Sequence, residues 1–125
     1  KGYYFASKQE AVTAVRRFQA SGTQSIDIGC MQVNIKHHPN AFSSLENAFD
    51  PQANVAYAAR FLRSNYDSTG SWMKATAYYH SATPKFGTPY MQAIYQRWRK
   101  VLARAGTSPA EALAMAGPGE SVAIA

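Results

Sequence analysis

Signals that start α-helices recur along this chain, and they constrain its fold more than any other feature. Ser7 with Glu10, and Ser43 with Glu46, have the S-x-x-E spacing of a capping box, in which two side chains bond free backbone N–H groups at a helix start. Asp50 precedes a proline, which joins an N-cap residue to a first helical position that needs no N–H. These signals predict a mainly α-helical chain.

One short run at the start of the chain is strand-like instead. Tyr3–Phe5 is aromatic throughout, and no second run of this kind follows it. A strand needs a partner for its backbone groups, and Lys1 is not a usual first residue. We therefore expect a small β-hairpin at the N-terminus whose other strand precedes this chain.

Amphipathic stripes define the predicted core of the helices. The segment Ser71–His80 is apolar nearly all round and is predicted to be a central buried helix. Thr88-Pro89 is predicted to open the longest helix, which Gly106 ends. The predicted inward residues are Ala11, Val15 and Phe18; Val55, Ala58, Ala59, Leu62 and Tyr66; and Tyr90, Ile94, Trp98, Val101 and Leu102.

The composition changes near the end of the chain. Ala, Gly, Pro and Ser dominate from Thr107 onward, and Ser108-Pro109 with Glu111 has the pattern of one short helix. We therefore expect one domain over residues 1–106 and a tail or linker over residues 107–125.

The chain is basic, with thirteen Lys and Arg against seven acids and a net charge of +6. Such a charge suits nucleic acid, an anionic membrane face or an acidic wall polymer, and it also occurs in domains that are merely soluble. The basic segment Tyr95–Lys100 contains Trp98, which falls on the apolar stripe, so its cations are better explained as a solvated face than as a nucleic-acid site. No apolar run is long enough to be a transmembrane segment.

Acidic residues are few, and most have a structural explanation. Helix capping accounts for Glu10, Glu46, Asp50 and Glu111, a turn for Asp67, and the tail for Glu120. Asp27 is the exception, since it stands beside an unusual motif. A catalytic site that needs two carboxylates is therefore hard to assemble from this chain.

No metal or cofactor is expected. Cys30 is the single cysteine, which excludes an internal disulfide and a multi-cysteine zinc site. His37 and His38 are adjacent, so their side chains point in different directions, and no third ligand lies at helical spacing. The chain also lacks a glycine-rich phosphate loop.

The segment Ile28–Asn34, IGCMQVN, stands out because neutral amides occur on an apolar background. Gln32 and Asn34 each offer both donors and acceptors of hydrogen bonds. A charged group to perform chemistry would have to come from elsewhere.

Four segments together resemble family 1 lytic transglycosylases, the SLT-type domains. Gly29–Asn34 resembles the family's G-L-M-Q-I-N motif, and Phe49–Val55 resembles its F-D-P-x-x-N-I segment. Ala77–Ser81 is similar to the A-Y-N motif, with Tyr79 on the tyrosine and His80 in place of the asparagine, and Gly87–Tyr90 resembles the G-x-P-Y helix start. The resemblance covers about Ser25 to Trp98, and the order of the four segments is what makes it specific.

The resemblance implies an α-helical, lysozyme-like fold of the SLT and goose-lysozyme type. It implies cleavage of the MurNAc–GlcNAc β-1,4 bond of peptidoglycan without water, which leaves a 1,6-anhydro ring. The branch it resembles most serves secretion and conjugation machinery and carries an inserted hairpin and helix, whose end would be Tyr3–Ala20. Peptidoglycan strands are then the expected partner, and the periplasm or cell envelope is the expected location.

The resemblance also implies roles for individual residues. Tyr79 would orient the catalytic acid, unless it is only a core aromatic. The expected substrate-binding residues are Gly29, Met31, Gln32, Asn34, Tyr78 and His80, with Met31 open to a packing role.

The family's acid is a glutamate in an E-S-x-F motif, which this chain lacks. We expect that glutamate in sequence preceding Lys1, with Glu10 as the alternative acid and Asp27 as a further one. Two other functions stay open: a non-catalytic glycan-binding or assembly module, and a hydrolase of the goose-lysozyme type.

Overall fold

The computed structural model describes residues 1–116, and these contain six α-helices and one two-stranded sheet. The helices are α1 (Lys8–Ala20), α2 (Leu45–Ala48), α3 (Pro51–Thr69), α4 (Trp72–His80), α5 (Pro84–Arg104) and α6 (Pro109–Ala116). The strands are β1 (Asp27–Ile28) and β2 (Val33–Asn34). The mainly α fold with a small hairpin in the N-terminal half is confirmed. Within the described residues no helix combines the length and the apolarity that crossing a membrane requires.

The chain divides into two units, residues 1–64 and residues 65 onward. The first unit is built around β1, which pairs antiparallel with β2 through Asp27 opposite Asn34 and Ile28 opposite Val33. Its core lies where the hairpin meets α1 and α2. The core residues are Val15, Ile28 and Ala48, with Ile26, Ile35, Phe42, Leu45 and Phe49 packed against them.

The hairpin is not where the sequence predicted a strand. Tyr3–Phe5 has no regular structure and pairs with no strand among the described residues. The ring of Tyr3 instead packs against Phe5 and against Phe18 of α1, with centroid distances of 6.5 and 5.2 Å. The ring of Tyr3 thus packs on a helix in the structure, and pairing of Tyr3–Phe5 with a strand that precedes this chain stays a prediction.

The start of α1 confirms the Ser7 half of its predicted capping box, while the Glu10 carboxylate bonds the N–H of the residue before Ser7. Ser7 Oγ accepts a hydrogen bond from the Glu10 N–H at 3.2 Å, and the Glu10 carboxylate accepts one from the Ala6 N–H at 3.2 Å. The predicted inward residues Ala11 and Val15 are buried, and Val12 is buried with them.

The second predicted capping box was wrong by one residue. Ser44 caps α2, because its Oγ accepts from the Asn47 N–H at 3.0 Å. Glu46 caps nothing: its carboxylate pairs with Arg16 of α1 at 3.0 Å. The third signal is confirmed, since Asp50 Oδ2 accepts from the Ala53 N–H at 2.9 Å at the start of α3.

The buried face of α3 differs from the predicted stripe. Asn54 and Ala58 are its buried residues, whereas Val55 is 46% exposed and Ala59 is also exposed. The buried face of α3 therefore includes the polar residue Asn54. A search for apolar residues at helical spacing cannot find such a position.

The second unit packs α4 against α5. Gly87 is buried at this contact, and the close packing explains why the residue is a glycine. A Cβ atom at this position would lie 2.5 Å from the Ser81 carbonyl oxygen and 2.8 Å from the Ala77 carbonyl oxygen. The α4 helix is less buried than predicted, since Ala75 is its only buried residue and Tyr78 is 44% exposed.

The longest helix, α5, starts at Pro84 rather than at the predicted Thr88-Pro89, so Pro89 lies inside it. Val101 is exposed, contrary to the prediction, and Gly106 ends the helix with a φ of +74°. The short helix predicted near Ser108 is confirmed as α6, while residues 117–125 of the predicted tail lie outside the described residues.

Candidate functional site

The glycine motif forms the tip of the β1–β2 hairpin. Gly29 has a φ of +76°, and Gln32 closes the turn with its N–H donating to the Gly29 carbonyl oxygen at 3.1 Å. Gln32 itself has a φ of +52°, which is uncommon for a residue with a side chain. Contacts with the surrounding structure must hold Gln32 in this strained backbone conformation. Strained residues of this kind occur often at functional sites.

The side chain of Asn54 in α3 holds the hairpin tip in place through hydrogen bonds. Its side chain is fully buried, and its Nδ2 donates to the Ile28 and Ala48 carbonyl oxygens at 2.9 and 3.0 Å. Its Oδ1 accepts from the Met31 N–H at 2.9 Å and from Cys30 Sγ at 3.6 Å. One amide thus joins the hairpin, the end of α2 and the start of α3.

This arrangement explains why position 29 is a glycine. A side chain at Gly29 would overlap the amide of Asn54, whose Cγ would lie only 2.6 Å from the new Cβ. The positive φ disfavours a side chain independently. Gly29 therefore permits the close approach of Asn54, and substrate binding by Gly29 stays a prediction.

Met31 and Gln32 are exposed at the hairpin tip. Met31 is 39% exposed, so the alternative that it serves only as core packing is not supported. Gln32 is exposed as well, and its Nε2 donates to the Gly29 carbonyl oxygen at 2.9 Å. This bond fixes the direction of the side chain while it remains in contact with solvent.

Asn34 has a structural role that the sequence did not reveal. Its Nδ2 donates to Ser25 Oγ at 3.0 Å and to Asp27 Oδ1 at 2.8 Å, and its Oδ1 accepts from the N–H groups of Lys36 and His37 at 3.0 and 3.2 Å. Asp27, which the sequence left unexplained, thereby anchors the strand ends. Substrate binding by Asn34 stays a prediction.

The second motif lies at the end of α4. Tyr78 is 44% exposed and lines a groove of about 250 Å³ between α4 and the first turns of α5. Tyr79 is half-buried, and His80 is exposed, with its ring stacked on Tyr90 at 4.5 Å and 8°. Burial raises the pKa of the Tyr90 hydroxyl against a smaller opposing effect of Arg97.

The hairpin tip belongs to the first unit, and Tyr78, Tyr79 and His80 belong to the second.

A polar pair near the hairpin was also missed by the sequence reasoning. His38 Nδ1 lies 2.8 Å from the hydroxyl of Tyr57, and its ring packs edge-on against Phe61 at 4.5 Å. Burial, with a smaller effect of His37, lowers the pKa of His38. The adjacent histidines thus have different surroundings, and residues 1–116 hold no cluster of three or more metal-ligating side chains.

The amino-acid sequence of the chain was compared with models of protein families. The model of the transglycosylase SLT domain family matches residues 8–90, which include the hairpin tip, α3 and the end of α4. The chain belongs to the SLT-domain family. Membership implies lytic transglycosylase-type action on peptidoglycan at the level of the family. No curated protein and no solved structure matched the chain.

In this SLT domain the match begins at α1, earlier than the resemblance read from the sequence, and it ends in α5. It therefore includes every predicted site residue. The match also includes α1, which the resemblance had placed in the inserted hairpin and helix.

Five carboxylates of the chain are engaged in structural contacts. Glu10 bonds the Ala6 N–H, Asp27 bonds Asn34, Glu46 pairs with Arg16, and Asp50 caps α3. Glu111 caps α6, and its bonds to the Ser108 backbone N–H, the Ser108 hydroxyl and Thr107 lower its pKa. Each of these five carboxylates thus already has a hydrogen-bond or ion-pair partner within the fold.

Proposed function

We propose that this chain is the glycan-binding part of a peptidoglycan lytic transglycosylase that cleaves the MurNAc–GlcNAc β-1,4 bond without water and leaves 1,6-anhydro-MurNAc ends. The observation that carries the proposal is the hairpin tip inside the family match: it presents Met31 and Gln32 to solvent on a turn held by the buried Asn54.

The proposed reaction needs one carboxyl group. That group first protonates the oxygen of the leaving sugar and then removes the proton of the C6 hydroxyl of MurNAc, whose oxygen attacks C1 and closes the anhydro ring. Neither a metal nor a second carboxylate takes part, which agrees with the few acids of this chain.

The hairpin tip is proposed to bind sugar groups. Gln32 is held by the Gly29 carbonyl oxygen through Nε2, so it meets an N-acetyl or hydroxyl group at a low cost in side-chain entropy. Met31 provides an adaptable apolar surface beside it. Gly29 shapes the turn, and Asn34 supports it or also binds substrate.

The residues at the end of α4 are also proposed to act in the reaction. Tyr79 orients the catalytic carboxyl group through its hydroxyl, while Tyr78 and His80 contact the sugar. His80 stands at the position of the family's asparagine and is exposed, so it can reach a substrate from the edge of the stacked pair with Tyr90.

The catalytic acid is proposed to be a glutamate in sequence preceding Lys1, because the carboxylates of Glu10 and Asp27 already serve the fold. Glu10 is the alternative acid within this chain. The proposed location is the periplasm or cell envelope, and the proposed context is secretion or conjugation machinery that must open the wall.

The test is digestion of purified peptidoglycan by the gene product, followed by mass spectrometry of the products. Anhydro ends, one water lighter than reducing ends, are expected. Gln32→Ala should lower turnover while leaving the melting temperature within a few degrees, because an exposed amide leaves no buried group unsatisfied. Gln52→Ala, at an exposed position of α3, is the matched control and should change neither quantity.

Two results would overturn parts of the proposal. Reducing ends would assign hydrolysis of the goose-lysozyme type. Cleavage by the chain of residues 1–125 that Glu10→Gln abolishes without unfolding α1 would make Glu10 the acid.

A second candidate function is a non-catalytic glycan-binding or assembly module. The engagement of five carboxylates in structural contacts favours it. Binding of the gene product to peptidoglycan without release of either kind of end would assign this function.

A further inference from the structure

Charge is distributed unevenly along the chain, and its excess lies in one stretch of the second unit. Residues 68–110 contain six basic residues and no Asp or Glu, so this stretch alone has the net charge of +6 that the whole chain has. Four of the six fall within the last eight residues of α5. The six are Lys74, Lys85, Arg97, Arg99, Lys100 and Arg104.

Three of these cations share one exposed face of α5 with a valine. Positions 97, 100, 101 and 104 follow the i, i+3, i+4, i+7 spacing of a single helix face, and all four residues are exposed. Val101 is 59% exposed. We call Arg97, Lys100, Val101 and Arg104 the basic face.

No acid neutralises the basic face within the part of the chain that the structure describes. The next acid along the chain is Glu111, and its carboxylate accepts hydrogen bonds from Thr107 and Ser108 instead. The helix dipole favours a cation in the last turn, which accounts for Arg104. Arg97 lies about two turns from the end of α5, where that effect has faded. The positive charge of this face therefore has no sufficient explanation in the fold itself.

Val101 indicates which kind of anionic partner fits the basic face. A membrane with anionic lipids offers negative headgroups to the cations and, just beneath them, an apolar boundary to an exposed aliphatic side chain. Single-stranded nucleic acid uses exposed rings instead, on which its bases stack. The rings in this half of α5 belong to Tyr95 and Trp98, which are half-buried and lie 5.9 Å apart between centroids. An anionic membrane surface therefore fits this face better than a nucleic acid does.

We propose that the basic face binds the surface of a membrane that contains anionic lipids, with its three cations on the headgroups and Val101 at the boundary below them. The family match ends at Tyr90, so every residue of the basic face follows the matched region. The proposal does not rest on the proposed function. It adds a second surface, which would keep the SLT domain at a lipid surface beside the wall on which the family acts.

The test is co-sedimentation of the chain of residues 1–125 with vesicles of two compositions. One kind contains phosphatidylcholine alone, and the other contains phosphatidylcholine mixed with anionic phosphatidylglycerol. The chain should bind the anionic vesicles and leave the neutral ones unbound. Binding should weaken strongly between about 0.1 M and about 1 M salt, because the Debye length falls from about 10 Å to about 3 Å.

Removal of the three charges should weaken binding to the anionic vesicles most. The variant Arg97→Gln/Lys100→Gln/Arg104→Gln should raise the Kd by about 100-fold, since each cation near such a surface contributes a factor of roughly 5. Val101→Ala should raise the Kd by about 3- to 10-fold through the loss of two methyl groups from the apolar boundary, with the salt dependence unchanged. Circular dichroism of both variants should match the parent, because all four side chains are exposed.

The matched control removes three positive charges from exposed positions of the first unit. The variant Lys8→Gln/Arg17→Gln/Lys36→Gln has the same net charge as the triple variant of the basic face. Its Kd for the anionic vesicles should rise by less than about 5-fold, because charges farther than a Debye length from the surface are screened.

Three results would overturn the proposal. Absence of binding to anionic vesicles, or equal binding to both kinds, would remove the membrane as the partner. Equal losses in the triple variant and its control would reduce the effect to net charge. Tighter binding to single-stranded DNA than to anionic vesicles, with Val101→Ala without effect on either, would assign the basic face to nucleic acid. The release of anhydro ends from peptidoglycan is a separate assay, so each of these results leaves the proposed function intact.

Discussion

Asn54→Ala is expected to be among the most destabilising single changes in the first unit. The substitution removes both donor bonds of Nδ2, to the carbonyl oxygens of Ile28 and Ala48, and the acceptor of the Met31 N–H. Ile28 and Ala48 are each only 1% exposed, so water cannot replace the lost partners without entering the core. Each unsatisfied buried group costs about 1–3 kcal/mol, and we expect a total of about 3–5 kcal/mol.

The assay is equilibrium unfolding in urea followed by far-ultraviolet circular dichroism. A loss of this size is a large fraction of the stability of a small domain, so the midpoint should fall markedly or the variant should be unfolded in buffer. Gln52→Ala on the exposed side of α3 should stay within about 0.5 kcal/mol of the parent. Asn54→Asp, which keeps the shape but donates nothing at neutral pH, should be at least as destabilising as Asn54→Ala.

A double-mutant cycle tests the contact between position 29 and position 54. In the parent, Gly29→Ala should cost about 2–5 kcal/mol, because the new Cβ both overlaps the Asn54 amide and adopts a left-handed φ. In the Asn54→Ala background the overlap is gone, and the cost should fall to about 1–2 kcal/mol for the φ alone. A loss of less than about 1 kcal/mol in Asn54→Ala, or strictly additive costs in the cycle, would refute this account of the hairpin tip.

Three further outcomes follow from single contacts. Gly87→Ala should lower the melting temperature through about 1–3 kcal/mol of overpacking, because its Cβ meets backbone carbonyl oxygens that cannot rotate away; an unchanged melting curve would contradict the close packing of α4 on α5. The ion pair of Arg16 and Glu46 is half-exposed, so Glu46→Gln should cost less than about 1 kcal/mol in urea unfolding, and the cost should shrink further in high salt. The lowered pKa of His38 means that the unfolded chain binds its proton more readily; stability should therefore fall as the pH drops from about 7.5 to about 5, and His38→Gln should reduce this dependence.

The sequence by itself determined the features that depend on neighbours within a few residues. The capping of α1 by Ser7, the start of α3 at Asp50 and the end of α5 at Gly106 were all predicted correctly. Each rests on one side chain and a backbone group at most four positions away, or on the φ of one glycine. The four motif segments were also recognisable from their order alone, and the family match includes them.

Where contacts with distant residues compete with local preference, only the tertiary structure decided the outcome. Tyr3–Phe5 has the composition of a strand but no regular structure, and the ring of Tyr3 packs on Phe18 of α1. Glu46 has capping spacing, but it pairs with Arg16 thirty positions away. Asn54 shows the reason most clearly. Asparagine side chains are mostly exposed in proteins, and Asn54 lies outside the predicted apolar stripe of α3. It is nevertheless fully buried, because the hairpin brings an N–H and a carbonyl group to its amide, and α2 brings a second carbonyl group. Burial of a polar group is stable only when distant parts of the chain satisfy all its hydrogen bonds, and which parts meet is decided by the fold rather than by the local pattern.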